Sequence, residues 1–384
     1  MLRIKAVLIA GVLATGGGLT GMVSVAASTV VSSCDTVITT PGTYALGADL
    51  DCSASLSDGI DIRSSNVTLN LEGYSINGGT GANDYNGVSV GSGGELNHVT
   101  VENGTIENWR VDLIPDLVSN FTASKLTLTV DGSESWEGFQ GTAIDKGSVS
   151  AVNLSGSAYI GFYISDSANL KVSASSADGG AYGFYGEYND KDSYVNDTAN
   201  TNADDGFYED DSNAISFSQN QANDDATGIY DYCDFDGAVT LAHNTADDNG
   251  YGIDLYECSG ESKKGFIDSL IKSNVADDNF DNGFTDYYSF GASYISNVAK
   301  GNAGDGMILE YPADYTVTSN VTSDNAGSGM YLEKNGDYDN VVSASKNQAN
   351  ANADYGLYAD YAAPGSANVA LDNLPDDCFN FVCS

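Results

Sequence analysis

Residues 206–232 read GFYEDDSNAISFSQNQANDDATGIYDY, and this stretch holds two copies of the element that decides the fold. Gly206-Phe207-Tyr208 returns as Gly228-Ile229-Tyr230, with Asn220-Gln221-Ala222 between them. Before it stand Gly161-Phe162-Tyr163 and Gly183-Phe184-Tyr185. After it come Gly252-Ile253-Asp254, Gly283-Phe284, Gly306-Met307, Gly329-Met330-Tyr331 and Gly356-Leu357-Tyr358. Successive glycines are 22, 23, 22, 24, 31, 23, 23 and 27 residues apart. The Asn-x-Ala element recurs with Asn244, Asn274, Asn297 and Asn347, and as a variant at Asn320-Val321-Thr322. Self-similarity at a near-constant period marks a stacked repeat.

The period alone would also suit leucine-rich repeats, but no Leu-x-x-Leu-x-Leu pattern is present and no stretch has helical i, i+3, i+4 apolar spacing. Short alternating runs such as Val67-Thr68-Leu69-Asn70-Leu71 and Leu126-Thr127-Leu128-Thr129-Val130 read as strands. Three short strands and three turns fill roughly 23 residues, which is one rung of a parallel β-helix. Rungs stack about 4.8 Å apart, so like residues form files along the axis. The expected roles are apolar residues after each Gly in the interior, Asn in the turns, and Gly at a positive-φ bend into the strand.

The chain of 384 residues carries 14 Lys and Arg against 54 Asp and Glu, a net charge of −40. Phosphate binding needs basic clusters, and the only adjacent basic pair is Lys263-Lys264, so nucleic acid and anionic membrane surfaces are excluded as partners. Arg3 and Lys5, the apolar stretch from Ala6 and the small residues Val25-Ala26-Ala27 read as a signal peptide over 1–27. Its removal takes the charge to −42. The expected organisation is an N-terminal cap over 28–58, the β-helix over 59–370 and a C-terminal cap over 371–384, in an exported monomer.

Six cysteines in an exported chain imply disulfides. They fall into local pairs: Cys34 with Cys52 and Cys378 with Cys383 as staples of the two caps, and Cys233 with Cys258 in the middle. The last two follow their rung glycines, Gly228 and Gly252, by five and six residues, which makes them neighbours on adjacent rungs.

The segment from Cys34 through Pro41-Gly42-Thr43-Tyr44-Ala45-Leu46 to Cys52 resembles the opening of a known family, and Asn66 to Gly73 and Val99 to Ile106 resemble its first rungs. The family is the secreted right-handed parallel β-helix repeat proteins of the pectin-lyase-like superfamily, and the resemblance covers roughly residues 34 to 370. It implies an all-β, single-stranded, right-handed solenoid. Its members include polysaccharide lyases, glycoside hydrolases, epimerases and proteins without known activity. The Gly-His-Gly and Arg-Ile-Lys elements of polygalacturonase-type members are absent after residue 27, and Arg63 and Arg110 are the only arginines there, with Asn108-Trp109-Arg110 the most lyase-like spot.

Alternate strand residues face opposite sides, so Tyr185, Tyr208, Tyr230, Tyr232 and Tyr256 are expected on the outer wall beside Glu187 and Asp210. Aromatic rows next to carboxylates suit sugars and point to a polysaccharide or cell-surface glycan as partner. A second reading is a carbohydrate-active enzyme with Glu209, Asp210, Asp231 and Asp254 as candidate acids. Glu209 and Asp231 occupy a normally inward position, a local conflict of the kind found at functional sites. A third is a structural matrix protein. The pairs Asp247-Asp248 and Asp277-Asp278 are candidate ligands for Ca²⁺, which prefers oxygen donors; a solvated acidic surface suited to high salt is the alternative.

Overall fold

The computed structural model describes residues 28–384 apart from 80–83, 131–136, 157, 234–236, 259–268, 290, 313 and 334–341. The signal segment and Lys263-Lys264 lie outside these residues. The chain winds into about 13 turns of roughly 23 residues, all β, with no helix among the described residues. No helix is long and apolar enough to cross a membrane.

A typical turn holds three strands, such as Asp205–Asp210, Ser216–Ser218 and Gln221–Asn223. Each pairs in parallel with the strand one turn later: Phe207 faces Ile229, Phe217 faces Leu241, and Ala222 faces the bridge residue Thr245 by way of its neighbour Gln221. Stacking already begins at Thr29–Val31, which pairs with Gly42–Leu46, inside the segment expected as a cap. It ends at Cys378–Cys383, which pairs with Leu357–Leu371.

Three files fill the interior. The first runs Phe139, Phe162, Phe184, Phe207, Ile229, Ile253, Phe284, Met307, Met330 and Leu357, all at most 1 % exposed. The rings of Phe162, Phe184 and Phe207 stack at 4.6 and 4.7 Å. Each such side chain contributes roughly 1.5–3 kcal/mol through burial.

The other two files are asparagines. Asn220, Asn244, Asn274, Asn297, Asn320, Asn347 and Asn368 form one. Each Oδ1 accepts the backbone N–H of the asparagine one turn before, and each Nδ2 donates to a backbone carbonyl of an earlier turn, as from Asn274 to Leu241 at 3.0 Å. Asn249, Asn279, Asn302, Asn325, Asn352 and Asn373 form the second file, five residues later in every turn. The residue before each member turns the corner with φ near +60°, for example Gln219, Ser273, Asp248 and Asp278.

That arrangement corrects the expected role of the repeat glycines. Gly228 is not among the positive-φ residues. It is glycine because a Cβ there would lie 2.7 Å from the Gly252 carbonyl and the Asn249 Nδ2, and 2.8 Å from the Ala246 Cβ. The Gly and Ala files let opposite walls approach, while Asp, Ser and Gln tolerate the left-handed corners.

All three expected disulfides are present, with Cα separations of 5.7 Å for Cys34–Cys52, 4.6 Å for Cys233–Cys258 and 6.6 Å for Cys378–Cys383. Such bonds persist in oxidising compartments and place the chain outside a reducing cytosol.

Candidate functional site

The strand after each repeat glycine builds one wall, and its outward side chains form two parallel rows. The first row runs Tyr163, Tyr185, Tyr208, Tyr230, Asp254 and Thr285. The second runs Ser165, Glu187, Asp210, Tyr232, Tyr256, Tyr287, Glu310 and Glu333. The aromatic track therefore changes row on the strand Thr227–Tyr232, where Tyr230 ends the first file and Tyr232 begins the second. All five tyrosines predicted to face outward are half-buried in this wall.

The rings pack on one another. Tyr185 and Tyr208 stack at 4.7 Å, Tyr208 and Tyr230 at 5.2 Å, and Tyr232 and Tyr256 at 5.3 Å. Tyr182 meets both Tyr185 and Tyr208 edge-on. The inner rings of each file thus have their faces covered, and the wall offers ring edges and phenol hydroxyls. The first file stops at Tyr230, because the next residue in its row is Asp254. Tyr163 donates its hydroxyl to Glu187. Burial, then the nearby Glu187 and Asp210, pushes the Tyr185 phenol up to about 12, so the hydroxyls remain protonated donors.

Glu209 and Asp231 do point inward, as their position in the alternation requires. Both are at most 1 % exposed, so neither reaches a polymer lying on the outside. Glu209 fits because Gly186, one turn earlier, leaves the space that its carboxylate occupies. It accepts hydrogen bonds from the Tyr194 hydroxyl at 2.6 Å and the Asn189 Nδ2 at 3.3 Å. Burial raises its pKa to about 7 against these lowering bonds. Asp286 repeats the device with the hydroxyls of Tyr294 and Tyr315 at 2.7 and 2.8 Å. Sequence reasoning missed these inward tyrosines. The available signal was a Tyr in the file Val172, Tyr194, Phe217, Leu241, Ile271, Tyr294, where every other member is apolar.

Of the four candidate acids, Asp210 and Asp254 lie on the outer wall. Asp254 sits at the break in the tyrosine file, between Tyr230 and Thr285, and its Oδ1 is buried without a hydrogen-bond partner. Burial, then the neighbouring Asp286, Asp205 and Glu310, raises its pKa to about 7. Glu310, two turns on in the second row, is raised to about 7 by burial and by Glu333. The only lyase-like spot is structural: Trp109 is 1 % exposed and donates its ring N–H to the Ile76 carbonyl at 3.2 Å, while Arg110 reaches Asn86 at 3.4 Å. Arg63 is held by Asp61 at 2.5 Å.

The candidate Ca²⁺ residues divide by role. Asp247 Oδ1 accepts the N–H of Asp277, and Asp277 Oδ1 that of Lys300, both at 2.9 Å, so these carboxylates continue a file that Asn200 and Asn223 begin. Asp248 and Asp278 are left-handed corner residues. Stacking raises the Asp277 pKa to about 6, through burial and then Asp247. Melting scans in NaCl are expected to show stability rising with salt, because screening relieves the repulsion of a chain at −42. At matched ionic strength, a steeper rise in CaCl₂ would support specific sites on these files, whereas equal rises would leave screening alone.

Two family profiles match the chain, one described as "Right handed beta helix region" over residues 118–265 and one as "Periplasmic copper-binding protein (NosD)" over residues 232–366. Among solved structures, the A-module of the mannuronan C-5 epimerase AlgE6 from Azotobacter vinelandii superposes with a TM-score of 0.51 and 14 % identity, covering 87 % of this chain and 89 % of that one. The periplasmic alginate epimerase AlgG superposes with a TM-score of 0.54 and 14 % identity, covering 87 % and 79 %. The chain is a right-handed parallel β-helix of the pectin-lyase-like fold. No curated protein sequence matches it.

The copper named in the second profile can be tested against the donors of this β-helix. His98 and His243 sit at corners of distant turns, and Met307 and Met330 stack in the core. All six cysteines are in disulfides, whose sulfurs are not thiolates. In this state the described residues do not fit a copper ion, and no chemistry is routed through one.

Proposed function

We propose that the chain is an exported β-helix that binds a polysaccharide along the outer wall carrying Tyr185, Tyr208, Tyr230, Tyr232 and Tyr256, with Glu187 and Asp210 as hydrogen-bond acceptors. The observation that carries this reading is the alignment of the two tyrosine files and their flanking acids on consecutive turns. A polymer laid along the axis meets the same donors and acceptors at every rung. The protein at −42 repels polyanions, so the reading favours a neutral or weakly charged glycan, or an acidic one bridged by a divalent cation. Similarity in fold to alginate epimerases supports a glycan partner. The caps, the monomeric state and Ca²⁺ on Asp247, Asp248, Asp277 and Asp278 belong to the same proposal.

Each phenol hydroxyl contributes on the order of 1 kcal/mol through a hydrogen bond. Replacing Tyr208, Tyr230 and Tyr232 together with Ala is therefore expected to weaken polysaccharide pull-down by roughly 100-fold, with circular dichroism unchanged. Binding equal to the parent's would reduce the rows to wall packing.

One observation favours a second reading, an enzyme acting on the same glycan. Asp254 combines an outer position, a break in the aromatic file and a carboxyl raised to about 7, which is the poise of a general acid at neutral pH. A reducing-end assay on any glycan retained by the parent separates the two. Product formation abolished by Asp254→Asn, with pull-down kept, would establish the enzyme.

A further inference from the structure

Asp231 is 1 % exposed, and both of its carboxylate oxygens lack a hydrogen-bond partner. The inward acids Glu209 and Asp286 each have bonded partners. A buried carboxyl without a partner is costly, and its presence in a native interior calls for an explanation, such as an ion at the site. Along the wall, Asp231 lies between Glu209 and Leu255, neither of which offers it a bond in this structure. What stands beside it is the Cys233–Cys258 disulfide, with the Cys258 Sγ 3.5 Å from the Asp231 backbone carbonyl. One ligand atom from each of Asp231, Cys233 and Cys258 lies within 4.8 Å of the others, and all three residues are buried. Among the described residues this is the one such group.

We propose that reduction of the Cys233–Cys258 bond creates a binding site for a thiophilic divalent cation such as Zn²⁺, held by the two cysteine sulfurs and the Asp231 carboxylate. As a disulfide, the pair offers no anionic sulfur. As two thiolates with a carboxylate, it becomes a donor set that suits d¹⁰ cations. Two thiolates on one Zn²⁺, each at about 2.3 Å, sit roughly 3.8 Å apart. The two Cα atoms are 4.6 Å apart, so side-chain rotation can supply that spacing.

The steps balance. A dithiol reductant gives two electrons and two protons to the Cys233–Cys258 bond and is itself oxidised to a disulfide. Entry of M²⁺ then releases the two thiol protons. Three ionised ligands around a divalent cation carry a net charge of −1, where the ligands alone would carry −3. Three protein donors leave a fourth position open, as at catalytic zinc sites.

The test uses the full exported chain, treated anaerobically with dithiothreitol, freed of reductant and titrated with Cd²⁺ as a probe. The cadmium–thiolate band in the ultraviolet is expected in the reduced protein and not in the oxidised one. It should fall by one equivalent in the Cys233→Ser/Cys258→Ser variant, which retains the other two pairs. Asp231→Asn should keep the band but lose at least the roughly 10- to 100-fold in affinity that removal of an outer-shell partner costs. Four results would overturn the proposal. They are equal uptake by the oxidised protein, no equivalent lost with the serine pair, an Asp231→Asn affinity equal to the parent's, and a central pair that resists reduction or unfolds the chain when reduced, as read by thiol count and circular dichroism.

Discussion

Asp225→Asn is expected to raise the melting temperature at pH 8, by on the order of 5 °C, and to change it little at pH 4. Asp225 stands in the second asparagine file, where its Oδ1 accepts from the Asn202 N–H and Nδ2 at 2.6 and 3.0 Å. Its Oδ2 takes the place of the amide nitrogen that Asn249, one turn later, uses to donate to the Ala222 carbonyl at 3.0 Å. That Oδ2 is buried and has no partner. Burial accordingly raises the Asp225 pKa to about 8, against an unfolded value near 3.8. The unfolded chain releases this proton near pH 4, whereas the native chain holds it to about pH 8. Stability is therefore fully present below pH 4 and is lost as pH rises through the window to 8, at up to about 1.4 kcal/mol per pH unit for the group. An amide does not titrate and restores the missing donor. Melting scans of parent and variant from pH 4 to 9 check this; parallel curves across the range would show that Asp225 does not carry the slope.

The same sign holds for other buried acids. Burial raises Asp192 to about 8, Asp197 to about 7 and Glu209 to about 7. The parent should thus melt highest in mildly acidic solution and lose stability toward pH 8. Overall charge repulsion acts in the same direction, and the single amide substitution separates the two because it changes the net charge by only one unit.

Much of this was legible in the sequence, and the reasons are particular. The solenoid followed from the spacing of Gly206, Gly228 and Gly252, and the Cys233–Cys258 pairing from their distances to those glycines. The first asparagine file was visible as Asn-x-Ala. The second was equally periodic, since Asn249, Asn279, Asn302, Asn325 and Asn352 each follow a first-file Asn by five residues. It was hidden because its flanking residues vary and because Asp replaces Asn at 225. The reason for the glycines was misread: a φ-based argument is local, whereas the contact of Gly228 with Gly252 and Ala246 arises only once turns are stacked. Ring stacking was likewise beyond the sequence. Alternation places Tyr208 outside, but whether its face meets a ligand or Tyr230 depends on the 5.2 Å between the rings.

The asparagine files also yield the largest expected loss. Asn274 is fully buried; it accepts from the Asn244 N–H and Nδ2 at 2.9 and 3.0 Å, and donates to the Leu241 carbonyl at 3.0 Å and to Asn297 at 3.1 Å. Asn274→Leu keeps the volume but leaves the Asn244 N–H, one Asn244 amide hydrogen and the Leu241 carbonyl unpaired in the interior. At about 1–3 kcal/mol for each orphaned group, the cost is on the order of 4 kcal/mol or more. A solenoid is held by contacts between neighbouring turns, so the damage should be local before it is global. Amide exchange is expected to accelerate first in Thr240–Ala242, Leu270–Lys272 and Ser293–Ile295, the strands that flank the defect. Asn274→Asp supplies the second arm. It keeps the acceptor, removes the donor and places a carboxyl where Asp225 already shows the consequence, so its deficit should be small near pH 4 and grow toward pH 8. A leucine variant that melts within a degree of the parent, or an aspartate variant whose deficit ignores pH, would mean that the files follow the coil without holding it.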